Sequence, residues 1–502
     1  MQKNQISNPY PSHSTKRFQF FHQRYLTNRP KKNSLKTNLD LLLYKIYFWV
    51  LIIFSIFTLL TSLHLPFFKI VNRITESLCE VTTLTLFLCV THYSLHHKFF
   101  QISYEHTLWL HKKAGKHTIK LVYINGLFHL LPIMINILPM ANLSPDQIPT
   151  TRNNVSAISA AVIIYVLRRG LKYRKRCYEF FYYSHIAATL IYVPVFALSH
   201  PIKPFLFTAA FGFALWLADL LYRIFRYFFY QKGRIVKVVS QSSTGKPDSN
   251  YRPDSKILII EIKNFTYEPM QWVRLCIPSI AKYQMHALTI CSPPRLPDAK
   301  TGKVQLKILI KTLGDWSREI VETPDSFFLN KKVILEGPHG TSTLSVLDYR
   351  YLILIGGGCG VGPVLSLMLS LIDLNKKQFG DNLIKLKFYW VMKEFQNLEL
   401  FQKEFDQFSR LIKKYQIEVY VTRQKKLELE KDYTIPNYVK FEKPNISKVI
   451  QDSAVEAQKN SLKKMAIFSC GPSSMMKEIQ NTSIDLSNDK FSIDISREIT
   501  RF

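Results

Sequence analysis

From Tyr44 to Leu221 the chain alternates long apolar windows with basic or polar links, and from Lys232 onward its hydrophobic period shifts toward two. The windows Tyr44–Leu63, Glu76–Leu95, Thr118–Leu138, Val155–Leu167, Phe181–Leu198 and Phe205–Leu221 predict six spans, because about 20 apolar residues match the thickness of a bilayer's hydrocarbon. The fourth window is short and extends backwards through Thr151. Beyond them, Arg234–Ser240, Lys256–Ile262, Trp272–Cys276 and Val304–Lys311 read as short strands between Gly, Pro and Asn-rich turns, and so as a small antiparallel barrel ending near Gly340. Strands at Tyr351–Ile355, Lys385–Val391, Ile417–Thr422 and Lys464–Ser469 then alternate with helical patterns at Val361–Leu374, Leu398–Tyr415 and Ser473–Gln480. That alternation predicts an α/β domain with a parallel sheet.

Four segments follow: a basic tail (1–43), a six-span domain (44–230), a β-barrel domain (231–345) and an α/β domain (346–502). The tail, rich in Asn, Ser, Pro and Lys, is expected to be disordered and is not a signal peptide, since no apolar core follows a short basic region before Tyr44.

Charge sharpens the topology. The 67 Lys and Arg against 36 Asp and Glu leave a formal net charge of +31. The tail and the links after the second and fourth windows carry most of the basic residues that flank the windows. The positive-inside rule therefore predicts a multi-pass integral membrane protein with both termini cytoplasmic; the rule does not choose the membrane, for which the plasma membrane is expected ahead of the endoplasmic reticulum. An anionic inner leaflet is the partner such links imply, and nucleic acid is excluded because no helix-turn-helix, zinc-finger or RNA-binding signature accompanies them. The seven cysteines show no C-x-x-C spacing, which argues against iron–sulfur or zinc sites.

Histidines punctuate two of the windows and their flanks. His111, His117 and His129 lie along one, and His185 and His200 along another. As helices, these place His111 and His129 roughly 27 Å apart and His185 and His200 roughly 22 Å apart. Neutral imidazole is an axial ligand for haem iron, so two such helices side by side offer two stacked bis-histidine sites. Packing histidines bonded to neighbouring carbonyls are the other reading.

Four sequences sit where an α/β sheet binds ligands, at strand carboxyl ends. Gly356-Gly357-Gly358-Cys359-Gly360-Val361-Gly362-Pro363 follows a strand and opens a helix, a pattern that suits a pyrophosphate or a plain tight turn. Lys393 and Arg423 each follow a strand, where a cation can meet a ribose 2′-phosphate or stand solvated. Cys470-Gly471-Pro472 follows another strand, and Phe502 ends the chain with an aromatic ring able to cover a cofactor face. In the barrel, His286-Ala287-Leu288-Thr289 and Glu336-Gly337-Pro338-His339-Gly340 are either flavin contacts or barrel turns.

Taken together, in this order and spacing, these residues resemble the membrane ferric reductase and NADPH oxidase superfamily, from about His64 to Phe502. The resemblance implies a six-helix haem domain joined to a ferredoxin-reductase-like unit, a barrel for FAD followed by an α/β domain for NADPH. His286-Ala287-Leu288-Thr289 is similar to the family's H-P-[FY]-T, with the proline and the aromatic both replaced, and Leu313-Gly314-Asp315-Trp316 resembles the element that closes the FAD site. By this resemblance FAD is held by His286, Thr289, Gly337, Pro338, Gly340 and Phe502. NADPH is held by Gly356, Gly358, Gly360, Pro363, Lys393, Arg423, Cys470, Gly471 and Pro472. The family's membrane histidines imply two haem b, the inner on His111 and His185. The place of the next ligand, fourteen residues after His111, is Asn125, so the outer haem is expected on His129 and His200 or is missing.

The implied function is electron transfer from cytosolic NADPH through FAD and haem to an acceptor across the membrane, an Fe(III) or Cu(II) chelate. Reduction of O2 to superoxide and a non-catalytic membrane scaffold are the alternatives. The short external links and the lack of an amino-terminal EF-hand loop favour the metalloreductase.

Overall fold

The computed structural model describes residues 38–91, 104–137, 178–199, 204–241, 253–340, 344, 346–375, 383–409, 415–426 and 434–498. The chain divides into two compact units, one within Leu39–Phe229 and one running from Tyr230.

The first unit is helical: α1 (Asn38–Ser62), α2 (Phe67–Leu88), α3 (Tyr104–Ile137), α4 (Tyr178–Ser199) and α5 (Pro204–Tyr227). Helix α2 packs against both α3 and α5. A Cβ on Gly212 of α5 would come within 2.9 Å of Leu84, so a glycine is what lets α5 approach α2. Tyr47 of α1 joins Cys89, Leu110 and Ala114 in a small apolar core.

The six-span expectation, and with it the multi-pass localisation, is corrected here. Among the described residues one helix, Leu41–Ser62, is long and apolar enough to cross a membrane. For α2, α3 and α5 the reason lies in their polar content. Helix α2 carries Lys69, Asn72, Arg73, Glu76 and Glu80, α3 carries Lys112, Lys113, Lys116 and Lys120, and α5 carries an Asp219–Arg223 ion pair at 3.0 Å. In α4 the apolar stretch among the described side chains is Phe180–Ile191. Of the polar residues in α2, α3 and α5, Glu76, Glu80, Lys120 and Asp219 fall inside the predicted windows, and the rest were read as links that the helices instead take in. The fourth window, Val155–Leu167, lies outside the described residues.

The second unit contains two six-stranded sheets. The first takes β1 (Gln231–Ser240), β2 (Ser255–Lys263), β3 (Trp272–Cys276), β4 (His286–Thr289), β5 (Lys303–Lys311) and β6 (Lys332–His339), with α6 (Asp315–Glu322) and α7 (Asp325–Phe328) between the last two. Its order is β4-β3-β6-β1-β2-β5, with every pairing antiparallel. An antiparallel bridge from Ile290 to Ile308 joins the two edges and closes the sheet into a barrel. Alternate residues such as Leu258, Ile260, Val273, Leu275, Leu306 and Ile308 fill its interior.

The second sheet is wholly parallel. It comprises β7 (Tyr351–Gly357), β8 (Lys385–Met392), β9 (Tyr415–Val421), β10 (Val439–Lys440), β11 (Lys464–Cys470) and β12 (Ser492–Glu498), in the order β10-β9-β8-β7-β11-β12. Helices α8 (Val361–Asn375), α9 (Gln402–Ser409), α10 (Ile446–Lys459) and α11 (Ser473–Leu486) accompany it. The helix expected over Leu398–Tyr415 is instead a 3₁₀ segment, Phe395–Phe401, followed by the shorter α9, and Tyr415 already begins β9. The two sheets share one apolar core. Ile257, Ile259, Met270 and Cys291 of the barrel pack with Leu354, Val364, Met368 and Phe388 of the α/β domain. A buried Gln241–Asn397 hydrogen bond at 3.1 Å and a Ser366 hydroxyl donating to Ser292 O at 2.7 Å fix the seam.

Candidate functional site

Strand β7 is an apolar run closed by glycines, and all seven of its positions are buried. Its last residues meet the end of β11, with Cys470 opposite Gly356. These strands are neighbours at the point where the sheet's order reverses, after β7 has fed β8, β9 and β10 on one side and before β11 and β12 extend the other. In open parallel sheets a crevice forms there.

The loop that follows β7 sits hard against the loop that follows β11. A Cβ added to Gly360 would lie 2.3 Å from Cys470 O and 3.0 Å from its Sγ. Only glycine permits that approach. Gly358 takes φ +55°, a left-handed turn that aims the chain back toward the sheet. Its carbonyl accepts a 3.0 Å hydrogen bond from Trp390 Nε1, an indole that is itself buried and stacked on Phe405. Helix α8 starts at Val361, so its first amides open onto this crevice with Pro363 in the first turn, where a missing N–H costs nothing. Pro472, directly after Gly471, is the N-cap of α11. Gly356, Gly358, Gly360, Pro363, Cys470, Gly471 and Pro472 are thus brought together. Backbone donors at a helix start, without side chains in the way, suit an anionic diphosphate.

Lys393 and Arg423 also meet. The Arg423 N–H donates to Lys393 O at 3.1 Å and Thr422 N–H to Met392 O at 3.0 Å, which stitches the loop after β9 to the loop after β8. Gln424 adds an acceptor for Phe395 N–H at 2.6 Å. Both cationic side chains are exposed.

The barrel carries the second group of candidates. Strand β4 is the H-A-L-T sequence itself, paired to β3 with Thr289 opposite Trp272 and Ala287 opposite Arg274. His286 stacks face to face on Trp316 at 3.8 Å between ring centroids and 16° between planes, and Leu288 packs on the barrel core with it. Burial, with the nearby Arg274 charge, holds the His286 imidazole down at about 4, so it is neutral at physiological pH. Of the motif's two expected flavin contacts, His286 is turned onto Trp316, whereas Thr289 lies on the alternate face. Between β3 and β6 the register slips across Gly337-Pro338, with Arg274 opposite Glu336 and Trp272 opposite His339. Gly337 and Gly340 have φ of +140° and +86°, and Gly340 O accepts from Gln271 Nε2 at 2.8 Å. Phe502 lies outside the described residues.

In the helical unit His111 of α3 and His185 of α4 face one another, ring centroids 6.3 Å apart and planes at 83°. Two imidazoles bound coaxially to one metal, each with its nitrogen about 2 Å from the ion, would have centroids roughly 6 Å apart. His111 Nδ1 lies 3.0 Å from Leu86 O, and because a carbonyl only accepts, that nitrogen carries the proton and leaves Nε2 as the basic one. His185 Nδ1 is buried without a hydrogen-bond partner. The pair fits an iron ligated on two sides. Asn125 is occupied otherwise, donating to Thr75 Oγ1 at 2.8 Å and to Asn72 O at 3.4 Å. His129 falls within α3, with its side chain outside the description, and His200 lies outside the described residues.

Trp272 and Arg274, opposite Thr289 and Ala287 on β3, escaped the sequence reading. An arginine inside the otherwise apolar strand W-V-R-L-C was the available signal.

Comparison with known proteins agrees with this division. Residues 349–484 match the model of the ferric reductase NAD binding domain, and residues 256–343 that of an FAD-binding domain. The probable ferric reduction oxidase 1 of Arabidopsis thaliana is 30% identical over 213 residues, 41% of this chain and 27% of that protein. A superoxide-generating NADPH oxidase heavy chain of Dictyostelium discoideum is 25% identical over 289 residues, 50% of this chain and 40% of that protein. NADPH oxidase 4 of Rattus norvegicus is 26% identical over 294 residues, 54% of this chain and 46% of that protein. The matches thus span between a quarter and half of these relatives' lengths.

Proposed function

We propose, from the premise that the chain belongs to the ferric-reductase and NADPH-oxidase-like superfamily with FAD- and NAD(P)-binding domains, that it is a reductase drawing electrons from NADPH through FAD to haem iron and on to a ferric or cupric chelate. The observation that carries the reading is the contact between Gly360 and Cys470 at the reversal point of the parallel sheet. It supports a built dinucleotide crevice in a chain whose barrel shares a core with it.

Bound flavin would accept a hydride and release single electrons, and haem would carry electrons one at a time. The protein's own part is positional. The amides at the start of α8 hold the diphosphate of NADPH, Lys393 and Arg423 meet its 2′-phosphate, and the Cys470–Pro472 turn bounds the nicotinamide end. Thr289 bonds the flavin ring, and the Gly337–Gly340 turn leaves room beside it. His111 and His185 hold the haem, and the Leu86 carbonyl keeps His111 in the tautomer that can ligate. Because Asn125 is held by Thr75 and Asn72, any second haem would need His129 and His200.

Resemblance to superoxide-generating oxidases gives oxygen as the competing acceptor. Anaerobic NADPH-dependent reduction of an Fe(III) chelate, set beside superoxide-dismutase-sensitive dye reduction in air, tests the choice. Chelate reduction that persists without oxygen supports the metalloreductase, and activity seen only as superoxide overturns it. Replacing His111 and His185 by alanine should abolish a dithionite-sensitive Soret band while leaving flavin content unchanged.

A further inference from the structure

The barrel motif that should grip the flavin has lost its aromatic ring, and its histidine is neutral and stacked on Trp316. The outward face of the next strand supplies both missing chemistries. Val273 and Leu275 point into the barrel core, so Trp272 and Arg274 alternate to the other side of β3. There Trp272 stands opposite Thr289 on one neighbour and His339 on the other, with its ring 4.6 Å from the imidazole of His339. Arg274 stands opposite Ala287 and Glu336 and bonds the buried Glu336 carboxylate at 3.2 Å, its own side chain 20% exposed. Gly340 lies close against the Nε1 edge of the indole, since a Cβ there would come within 3.1 Å of Trp272 Nε1.

We propose that Trp272 supplies the aromatic surface for the flavin ring and Arg274 the cation for its first phosphate, together replacing what the H-A-L-T strand no longer provides. The inference rests on the flavoprotein reading above. Geometry supports the division of labour. Two residues along a strand advance about 7 Å, a distance comparable to the extended ribityl chain between the isoalloxazine ring and its phosphate. A flavin ring beside Thr289 and Trp272 therefore brings its phosphate to the level of Arg274. The Glu336 carboxylate orients the guanidinium fork, whose planar geometry matches a phosphate's oxygens. An indole face adds stacking to a flat conjugated ring.

The test measures binding of riboflavin, FMN and FAD to the full chain by quenching of flavin fluorescence, for wild type, Arg274→Gln, Arg274→Lys, Trp272→Leu and Trp272→Phe. Arg274→Gln should weaken FMN and FAD about 10- to 100-fold, the range for a hydrogen bond to a charged group, and leave riboflavin unchanged. Arg274→Lys should fall between it and wild type. Trp272→Leu should weaken all three flavins about 3- to 10-fold, with Trp272→Phe restoring most of the loss. NADPH binding by the same samples should be unaltered, which separates loss of a contact from loss of the fold. If Arg274→Gln binds FMN as wild type does, or loses riboflavin equally, the phosphate role is overturned, and equal binding by Trp272→Leu overturns the stacking role. A wild-type chain that binds no flavin overturns the flavoprotein reading instead.

Discussion

The two nucleotide-type sites of the second unit are built by opposite means. At the end of the parallel sheet, backbone makes the site: Gly358 turns, Gly360 touches Cys470 O, and a helix begins. On the barrel, the proposed site is made of side chains, which come from three strands held in register. A backbone site leaves its glycines in the sequence because no other residue fits. A side-chain site can lose a ring from one strand and regain one from the next, so its motif fades while the surface persists.

The strongest way to break this contrast is Gly360→Ala. Its Cβ would fall 2.3 Å from a main-chain oxygen that cannot yield, so we expect about 2–3 kcal/mol of destabilisation and loss of NADPH binding, read by urea unfolding and nucleotide titration. Gly471→Ala sharpens the point. Its Cβ would meet the end of the flexible Met475 side chain, also at 2.3 Å, and should cost less than half as much.

On the barrel side the next largest effect is a pH dependence. Burial and then the Arg274 charge hold His286 down at about 4, below the value near 6.5 it regains on unfolding. The unfolded chain therefore binds more protons between those values, and stability falls as pH drops from about 6.5 to about 4. We expect a loss of roughly 2 kcal/mol across that window after allowing for partial exposure. His286→Phe should flatten the slope in urea melts.

Smaller is the charge effect at the nucleotide end. Lys393→Glu with Arg423→Glu should raise KM for NADPH about 10-fold and leave KM for NADH nearly unchanged, as measured by steady-state oxidation. Smallest is Trp390→Phe, which removes one hydrogen bond to Gly358 O while keeping the ring packed. It should cost about 1 kcal/mol and loosen NADPH binding only a few-fold.

The helical unit shows how pattern reading goes astray. Counting apolar windows began the second at Glu76 and left Lys69 and Arg73 to a link, whereas α2 takes them in from Phe67 and is too polar for a span. Histidines were better guides than hydropathy, because His111 and His185 do meet. Asn125 was legible as a departure from the family pattern, but its bonds to Thr75 and Asn72 were not, since α2 lies fifty residues away in sequence.

What the sequence determined alone was whatever depends on local chemistry: the period-two strands, the apolar run of β7, and glycines spaced for a turn and a helix start. The tertiary structure decided which strand ends become neighbours, that Lys393 and Arg423 lie side by side, and that His286 turns to Trp316 while Trp272 stands opposite Thr289 and Arg274 opposite Ala287. Local preferences act over a few residues and leave a periodic trace, whereas strand order and register are set by burial summed over the whole core, which no short stretch records.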